Sequence, residues 1–183
     1  MAKLGADPMV EESALLVPVP EAEPLVRRWR ERLDRSAEMG VPAHITILYP
    51  FVPPGEVHDR LLTDLRSMFG RVAAFDYTLT DVRWFGEDVL WLAPAPDTGF
   101  RRLIDAVVSR YPRYPPYGRP EQEVIPHLTV GDSGGREALR AAEAALRPRL
   151  PVRAVATEVW LVEATEAERW GVRERFRLWD ARR

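Results

Sequence analysis

Two short segments of this chain are nearly identical, and each places a histidine and a threonine two residues apart within an apolar run. They read His-Ile-Thr-Ile from His44 and His-Leu-Thr-Val from His127, 83 positions later. Runs of this kind, rich in β-branched residues, favour buried strands, on which side chains at i and i+2 share a face. His44 therefore shares a face with Thr46, and His127 with Thr129. The apolar neighbours turn to the opposite side, where a core must cover them.

The order of elements around these segments indicates an α+β fold with an internal duplication. The patterns predict strands over 14–19, 75–85, 89–92, 152–162, 170–179 and around both histidines, and helices over 21–33, 56–69, 100–108 and 136–146. Each histidine strand is followed by a turn, a helix and a pair of strands. Two similar halves that face each other across a groove would bring the motifs together.

Composition limits the classes of protein to which the chain can belong. We expect residues 1–12 to be a flexible leader and residues 13–183 to be one bilobal domain. A formal net charge of −2 argues against an extended nucleic-acid surface, although it allows a groove that holds one phosphate or a short RNA end. The absence of cysteine excludes disulfides and thiolate nucleophiles. Because no apolar stretch approaches the roughly 20 residues of a membrane span, we expect a cytoplasmic protein. A monomer is the default expectation, and no cofactor is expected.

The two histidine and threonine pairs contain the groups that cleave a phosphodiester without a metal. One imidazole can remove a proton from the attacking oxygen while the other donates a proton to the leaving oxygen, because an unperturbed pKa of about 6.5 allows both states near neutrality. A threonine hydroxyl on the same face can hold the non-bridging oxygens. We therefore take His44 and His127 as candidate catalytic residues, and Thr46 and Thr129 as candidate phosphate-binding residues.

Two His-x-Thr-x motifs in apolar strands, about half a chain apart, resemble the two-histidine (2H) phosphoesterase superfamily. The continuation of the first motif to Phe51 resembles the branch of bacterial 2′-5′ RNA ligases and RNA 2′,3′-cyclic phosphodiesterases, and the resemblance extends from about Ala14 to Leu178. It implies a bilobal 2H phosphoesterase fold with pseudo-two-fold symmetry, with antiparallel sheets around a central groove and helices outside. It also implies metal-independent phosphodiesterase or ligase chemistry on cyclic or 2′-5′-linked phosphates, with His44 and His127 as acid and base.

One departure from the family pattern concerns the substrate. Members known as RNA phosphodiesterases often have a basic residue soon after the second motif, where this chain has Gly131, Asp132 and Ser133. Together with the acidic balance, this difference favours a small substrate such as ADP-ribose 1″,2″-cyclic phosphate. Two other functions stay open: a catalytically silent binding module for a phosphorylated nucleotide or RNA end, and a metal site on the two imidazoles, which the lack of a carboxylate on their face disfavours.

Two further residues are candidates for substrate binding. The tyrosine-rich loop over 111–120 should end near the second motif, so Tyr117 could stack on a nucleobase or merely cover the strand. Arg173, Arg175 and Arg177 alternate along the last strand, so the pattern predicts that they share a face. If that face borders the groove, Arg173 could hold phosphate, and the simpler interpretation is the polar side of a half-exposed sheet.

Two other residues that could serve nucleotide chemistry are expected to lie outside the groove. Strict alternation along the first motif strand places Tyr49 with the core-facing residues. His58, the third histidine of the chain, falls near a helix start among charged neighbours. We therefore expect Tyr49 in the core and His58 on the surface.

Overall fold

A computed structural model of the chain describes residues 12–119, 123–164 and 169–180. The predicted leader lies outside the described residues, except for Glu12. The strands are β1 (Ser13–Pro18), β2 (His44–Leu48), β3 (Phe75–Phe85), β4 (Val89–Ala95), β5 (Leu128–Gly131), β6 (Val152–Ala156), β7 (Glu158–Ala164) and β8 (Trp170–Arg177). The helices are α1 (Glu23–Leu33), α2 (Arg35–Glu38), α3 (Asp59–Phe69), α4 (Thr98–Arg110) and α5 (Arg136–Leu146). None of these helices is long and apolar enough to cross a membrane.

The strands form two four-stranded antiparallel sheets that match each other in strand order. The first sheet runs β2-β1-β7-β8 and the second runs β5-β4-β3-β6. One face of each sheet packs with the helices into the main core. The opposite faces carry the partly buried motif threonines, and we call these faces and the space between them the groove. The motif strands β2 and β5 are edge strands, and their Cα atoms come within 8 Å of each other. The predicted α+β fold with two similar lobes is confirmed.

Each lobe contributes a helix that covers the motif strand of the other lobe. Helix α1 connects β1 to β2 but packs against β5, and helix α4 connects β4 to β5 but packs against β2. Four apolar residues of these helices are buried in the main core that the two contacts share, namely Val26 and Leu33 of α1 and Leu103 and Val107 of α4. Separating the lobes would expose both apolar stripes to water, so this exchange holds the two motifs in a fixed relation.

The strand predicted over 152–162 is two strands in different sheets. Strand β6 pairs with β3 in the second sheet, whereas β7 pairs with β1 in the first sheet. Thr157 lies at the crossing, where its carbonyl oxygen accepts a hydrogen bond from the backbone N–H of Leu178 at 2.9 Å. The prediction of one strand is wrong, because the extended pattern continues through the crossing and does not record a change of partner.

A β-bulge at the end of β2 reverses the side on which Tyr49 lies. The pairing with β1 skips one residue between Thr46 and Leu48, which turns the following side chain over. Tyr49 consequently packs on the groove side, where its ring meets Trp170 with centroids 6.1 Å apart. Its hydroxyl donates a hydrogen bond to Glu12. The prediction that Tyr49 lies on the core side is wrong.

Candidate active site

The two motif histidines have the same local geometry. His44 begins β2, and its Nδ1 lies 2.7 Å from the carbonyl oxygen of Pro42. His127 directly precedes β5, and its Nδ1 lies 2.7 Å from the carbonyl oxygen of Ile125. A carbonyl oxygen can only accept, so Nδ1 carries the proton in each neutral ring and Nε2 has the lone pair. Both rings therefore keep Nε2 for proton exchange with a ligand.

The threonines lie where the alternating pattern predicts. Thr46 pairs with Leu16 on β1, and Thr129 pairs with Trp91 on β4. Both side chains are partly buried on the groove faces of their sheets. The charge of His127 is one of the influences that lower the pKa of His44, so the two imidazoles lie within electrostatic range of each other. The structure thus places the two motif strands next to each other, and a shared site and the roles of the four residues stay predictions.

His44 is held in its neutral form by its surroundings. Burial, followed by the positive charge of Arg30, lowers the pKa of His44 from 6.5 to about 4. The Arg30 guanidinium is itself buried, and its Nε donates to Oδ2 of Asp34 at 2.8 Å. The negative charge of Asp34 raises the pKa of His44 and offsets part of this influence. At neutral pH the free protein therefore has an uncharged His44 that can accept a proton.

Helix α1 supports the first motif through two hydrogen bonds with charged side chains. Oε1 of Glu23 accepts from the backbone N–H of Ala43 at 2.7 Å. Nη1 of Arg30 donates to the carbonyl oxygen of Val41 at 3.2 Å. These bonds hold the residues on both sides of Pro42, whose carbonyl orients the His44 ring. Hydrogen bonds of this type are stronger than neutral ones, so the support is firm.

His127 lies among aromatic rings. The rings of Phe85 and Trp91 are stacked on each other with centroids 4.6 Å apart. Their centroids lie 4.9 Å and 5.8 Å from that of the imidazole, in edge-on arrangements. Burial lowers the pKa of His127 as well. The hydrogen bond to the carbonyl of Ile125 raises this pKa and offsets part of the effect of burial.

The segment after the second motif packs against the end of α1. The backbone N–H groups of Asp132 and Ser133 both donate to the carbonyl oxygen of Leu33, at 2.7 Å and 2.9 Å. Oδ1 of Asp132 accepts from the backbone N–H of Arg35 at 3.3 Å. A Cβ atom on Gly131 would come within 2.7 Å of the Leu33 Cβ, so a larger residue does not fit there. The residues found in place of the expected basic side chain therefore join β5 to α1.

Tyr117 lies beside the end of the first motif strand. Its backbone N–H donates to the carbonyl oxygen of Tyr49 at 2.7 Å, and its own φ of 52° lies in the left-handed region. The side chain is 39% exposed. It is therefore accessible near the groove-side cluster that contains Tyr49, and its contact with a substrate stays a prediction.

The three arginines of β8 do not share a face. The pairing of β7 with β8 skips Arg173, whose Nε approaches Oε1 of Glu163 at 4.0 Å. Arg175, in contrast, pairs directly with Trp160 on the groove side. The prediction of a shared face is wrong, because the bulge interrupts the alternation. A role for Arg173 in substrate binding stays a prediction.

The sequence analysis overlooked Arg30, although a signal for it was present. Arg30 and Asp34 are four residues apart and follow Val26 on the apolar stripe of the helix. Charged residues on a buried stripe are rare unless they are paired. The aromatic wall around His127 had no such signal, since Phe85 and Trp91 come from two strands whose register the sequence does not state.

A family model described as the 2′-5′ RNA ligase superfamily matches residues 17–168, which include both motifs. The chain belongs to the 2′-5′ RNA ligase superfamily. The resemblance inferred from the two motifs is therefore confirmed. No curated protein gives a significant match to this superfamily member.

Solved structures of low sequence identity share the fold of this 2′-5′ RNA ligase superfamily member. Escherichia coli LigT complexed with 3′-AMP is 20% identical, with a TM-score of 0.60 over 92% of this chain and 98% of that chain. LigT complexed with NADP+ is 21% identical, with a TM-score of 0.55 over 92% and 98%. TT0787 of Thermus thermophilus is 19% identical, with a TM-score of 0.56 over 93% and 99%. At these identities the likeness establishes the architecture.

Proposed function

We propose that this chain is a phosphodiesterase, or reversible ligase, that acts on 2′,3′-cyclic or 2′-5′ phosphodiester bonds of nucleotides or RNA ends without a metal ion. The observation that carries the proposal is the matched orientation of His44 and His127. Each ring donates from Nδ1 to a carbonyl two residues earlier, at 2.7 Å, and keeps Nε2 for a ligand. Acid and base of the same kind, held in the same way, suit a reaction that needs both at once.

In hydrolysis, the neutral imidazole accepts a proton at Nε2 from the attacking water while the oxygen of that water bonds to phosphorus. The protonated imidazole donates from Nε2 to the ribose oxygen as the phosphorus–oxygen bond breaks. The hydroxyls of Thr46 and Thr129 donate to the non-bridging oxygens, where negative charge increases. The two imidazoles exchange protonation states in each turnover, and ligation uses the same groups in reverse.

The ligands of the similar structures support the proposed substrate class. E. coli LigT was crystallised in complex with 3′-AMP and with NADP+, which are both nucleotides. This chain has the same fold as LigT, and its two pairs of imidazole and hydroxyl groups suit a phosphate attached to a ribose. The neutral state of His44 also supports this substrate class. A nucleotide phosphodiester has no strong base of its own, so the protein must supply the group that removes the proton of the attacking water.

Turnover of cyclic phosphates by histidine variants tests the proposal. The substrates are 2′,3′-cyclic AMP, an RNA that ends in a 2′,3′-cyclic phosphate, and ADP-ribose 1″,2″-cyclic phosphate, all with EDTA present. We expect the wild type to hydrolyse at least one of them, and His44→Ala and His127→Ala to give no detectable product. EDTA is included because imidazoles bind zinc, although the described residues contain no cluster of three or more metal-ligating side chains.

His58→Ala is the matched control for the loss of an imidazole. Nδ1 of His58 accepts the backbone N–H of Leu61 at 3.2 Å at the exposed start of α3, so the variant loses a helix cap and keeps the groove. We expect it to retain wild-type turnover. Activity that survives in either motif variant, or that EDTA abolishes, contradicts the proposal. Nucleotide binding by the wild type without turnover of any substrate favours the silent binding module.

A further inference from the structure

A row of side chains crosses the groove face of the first sheet at the level of the first motif. Thr46 pairs with Leu16 on β1, and Leu16 pairs with Trp160 on β7. Trp160 in turn pairs with Arg175 on β8. Directly opposed residues in antiparallel strands share a face, so all four lie on the groove side. Since neighbouring strands are about 4.8 Å apart, the backbone of Trp160 lies roughly 10 Å from that of Thr46.

Trp160 and Arg175 form an ordered cationic platform at the far end of this row. The guanidinium carbon of Arg175 lies 4.5 Å from the centroid of the Trp160 ring. The indole N–H donates to Oε1 of Glu158 at 2.6 Å, which fixes the ring that carries the guanidinium. A guanidinium that stacks through its face keeps the N–H groups on its edges for an anion.

The charge of Arg175 is less compensated than that of Arg83 or Arg173. Arg83 lies over an indole of the second sheet, but its Nε is 3.4 Å from the carboxylate of Asp81. Arg173 approaches Glu163 at 4.0 Å. Within residues 12–119, 123–164 and 169–180, no carboxylate forms an ion pair with Arg175. A ligand phosphate is therefore the complementary partner for this guanidinium.

We propose that Arg175, stacked on Trp160, binds a second phosphate of the substrate, one nucleoside away from the phosphate that reacts at the histidines. This inference rests on the proposed function. Hydrogen bonds are about 3 Å long, whereas Trp160 lies two strands away from Thr46. The guanidinium over Trp160 therefore binds a different group from the phosphate that the Thr46 hydroxyl holds. The substrate is then a nucleotide or RNA end with a phosphate on its 5′ side as well as the reacting group on its 2′,3′ side.

Affinities for three product-like ligands test the second phosphate site. Adenosine 3′-phosphate has one phosphate, adenosine 3′,5′-bisphosphate adds the second one, and the dinucleotide ApA 3′-phosphate adds a nucleoside beyond it. Titration calorimetry compares the wild type with Arg175→Gln, Trp160→Leu and Arg177→Gln at one fixed salt concentration. Arg177 is the matched control, because it lies on the same face of the same strand opposite Glu158 and does not stack on Trp160.

We expect the wild type to bind the bisphosphate about tenfold or more tightly than the monophosphate, which corresponds to one or two hydrogen bonds between charged groups. Arg175→Gln should reduce this ratio to nearly one and leave affinity for the monophosphate within about twofold. Trp160→Leu should reduce the ratio in part, because the guanidinium loses its support. Arg177→Gln should keep most of the ratio.

A wild type that binds the bisphosphate no more tightly than the monophosphate overturns the inference. Equal weakening of both ligands by Arg175→Gln overturns it too. A further gain with the dinucleotide identifies an RNA end as the source of the second phosphate, whereas equal affinities identify a small nucleotide. Because these are binding measurements, a lack of turnover contradicts the proposed function alone, and turnover without the affinity ratio contradicts the second site alone.

Discussion

At the scale of single residues, Thr46 and Thr129 are expected to act on the rate of reaction and not on the fold. Thr46→Val and Thr129→Val keep a β-branched side chain and remove one hydroxyl donor each. Each variant should lower kcat on 2′,3′-cyclic AMP by about 10²-fold, the loss typical of one preorganised donor. Steady-state kinetics measures this effect, and urea denaturation should show an unfolding free energy within about 1 kcal/mol of the wild type. Unchanged kcat with lost stability would indicate a structural role.

The lowered histidine pKa values predict an acidic pH optimum. Burial and the charge of Arg30 bring the pKa of His44 from 6.5 to about 4, and burial also lowers the pKa of His127. A reaction that needs one neutral and one protonated imidazole is fastest between the two pKa values. We therefore expect kcat/KM, which reports on the free enzyme, to be greatest below pH 6.5. An optimum above pH 7 in the measured profile would contradict this account.

The residue pattern predicted correctly that His44 and Thr46 share a strand face, and it failed at two other positions for one physical reason. His44 and Thr46 share a face because the strand between them is regular. Tyr49 follows one β-bulge and Arg173 is the extra residue of another, and a bulge interrupts the alternation of faces along a strand. A bulge depends on how a strand pairs with its neighbour, so the alternation of one segment does not reveal it.

At the scale of elements, α1 is expected to set the protonation of the first histidine. Arg30→Met removes the positive charge that lowers the pKa of His44, so that pKa should rise. The variant also leaves the buried Asp34 without its partner, which should cost about 3–5 kcal/mol of unfolding free energy. An NMR titration of the His44 ring measures the first effect, and urea denaturation measures the second.

A double variant keeps this test informative if Arg30→Met unfolds. Arg30→Met with Asp34→Leu removes both buried charges and should recover most of the lost stability. Arg30 is the larger of the two influences on His44, so the pKa of His44 should still lie above its wild-type value. An unchanged or lower pKa in the double variant would show that α1 does not tune the site.

The junction between β5 and α1 should be intolerant of added volume. A Cβ atom on Gly131 would lie 2.7 Å from the Cβ of Leu33 and from Cδ2 of Leu139. Gly131→Ala should therefore reduce the unfolding free energy by about 1–3 kcal/mol, as overpacking of a core does. Gly86→Ala is the comparison, since Gly86 has a φ of +58° and no atom within 4 Å of an added Cβ, so only backbone strain is expected. Equal costs in urea denaturation would contradict the close packing.

The sequence allowed most elements to be predicted, but not all of their partners. Residues 136–146 form the predicted helix because alanine and arginine favour helices and the apolar stripe is regular. The extended segment over 152–162 divides between two sheets, and α1 covers the strand of the opposite lobe. Both outcomes are set by contacts between distant parts of the chain, which local periodicity does not contain.

At the scale of the whole molecule, the fold brings together two motif strands whose histidines are 83 residues apart in the sequence. The motif strands are the neighbouring edges of two sheets, and each is covered by a helix from the other lobe. The repeated motif predicted that two halves would face each other. The exchange of α1 and α4 explains why they form one unit, since neither lobe can bury its motif strand alone. The two histidines should consequently act together and not as separate contributors.

Hydrolysis of 2′,3′-cyclic AMP in EDTA by the wild type, His44→Ala, His127→Ala and the double variant tests this central claim most directly. If the imidazoles are the acid and base of one step, either single substitution removes nearly the whole effect, and the double variant is no slower than the singles. Losses that multiply in the double variant, or a single variant with the wild-type rate, would contradict the two-histidine mechanism.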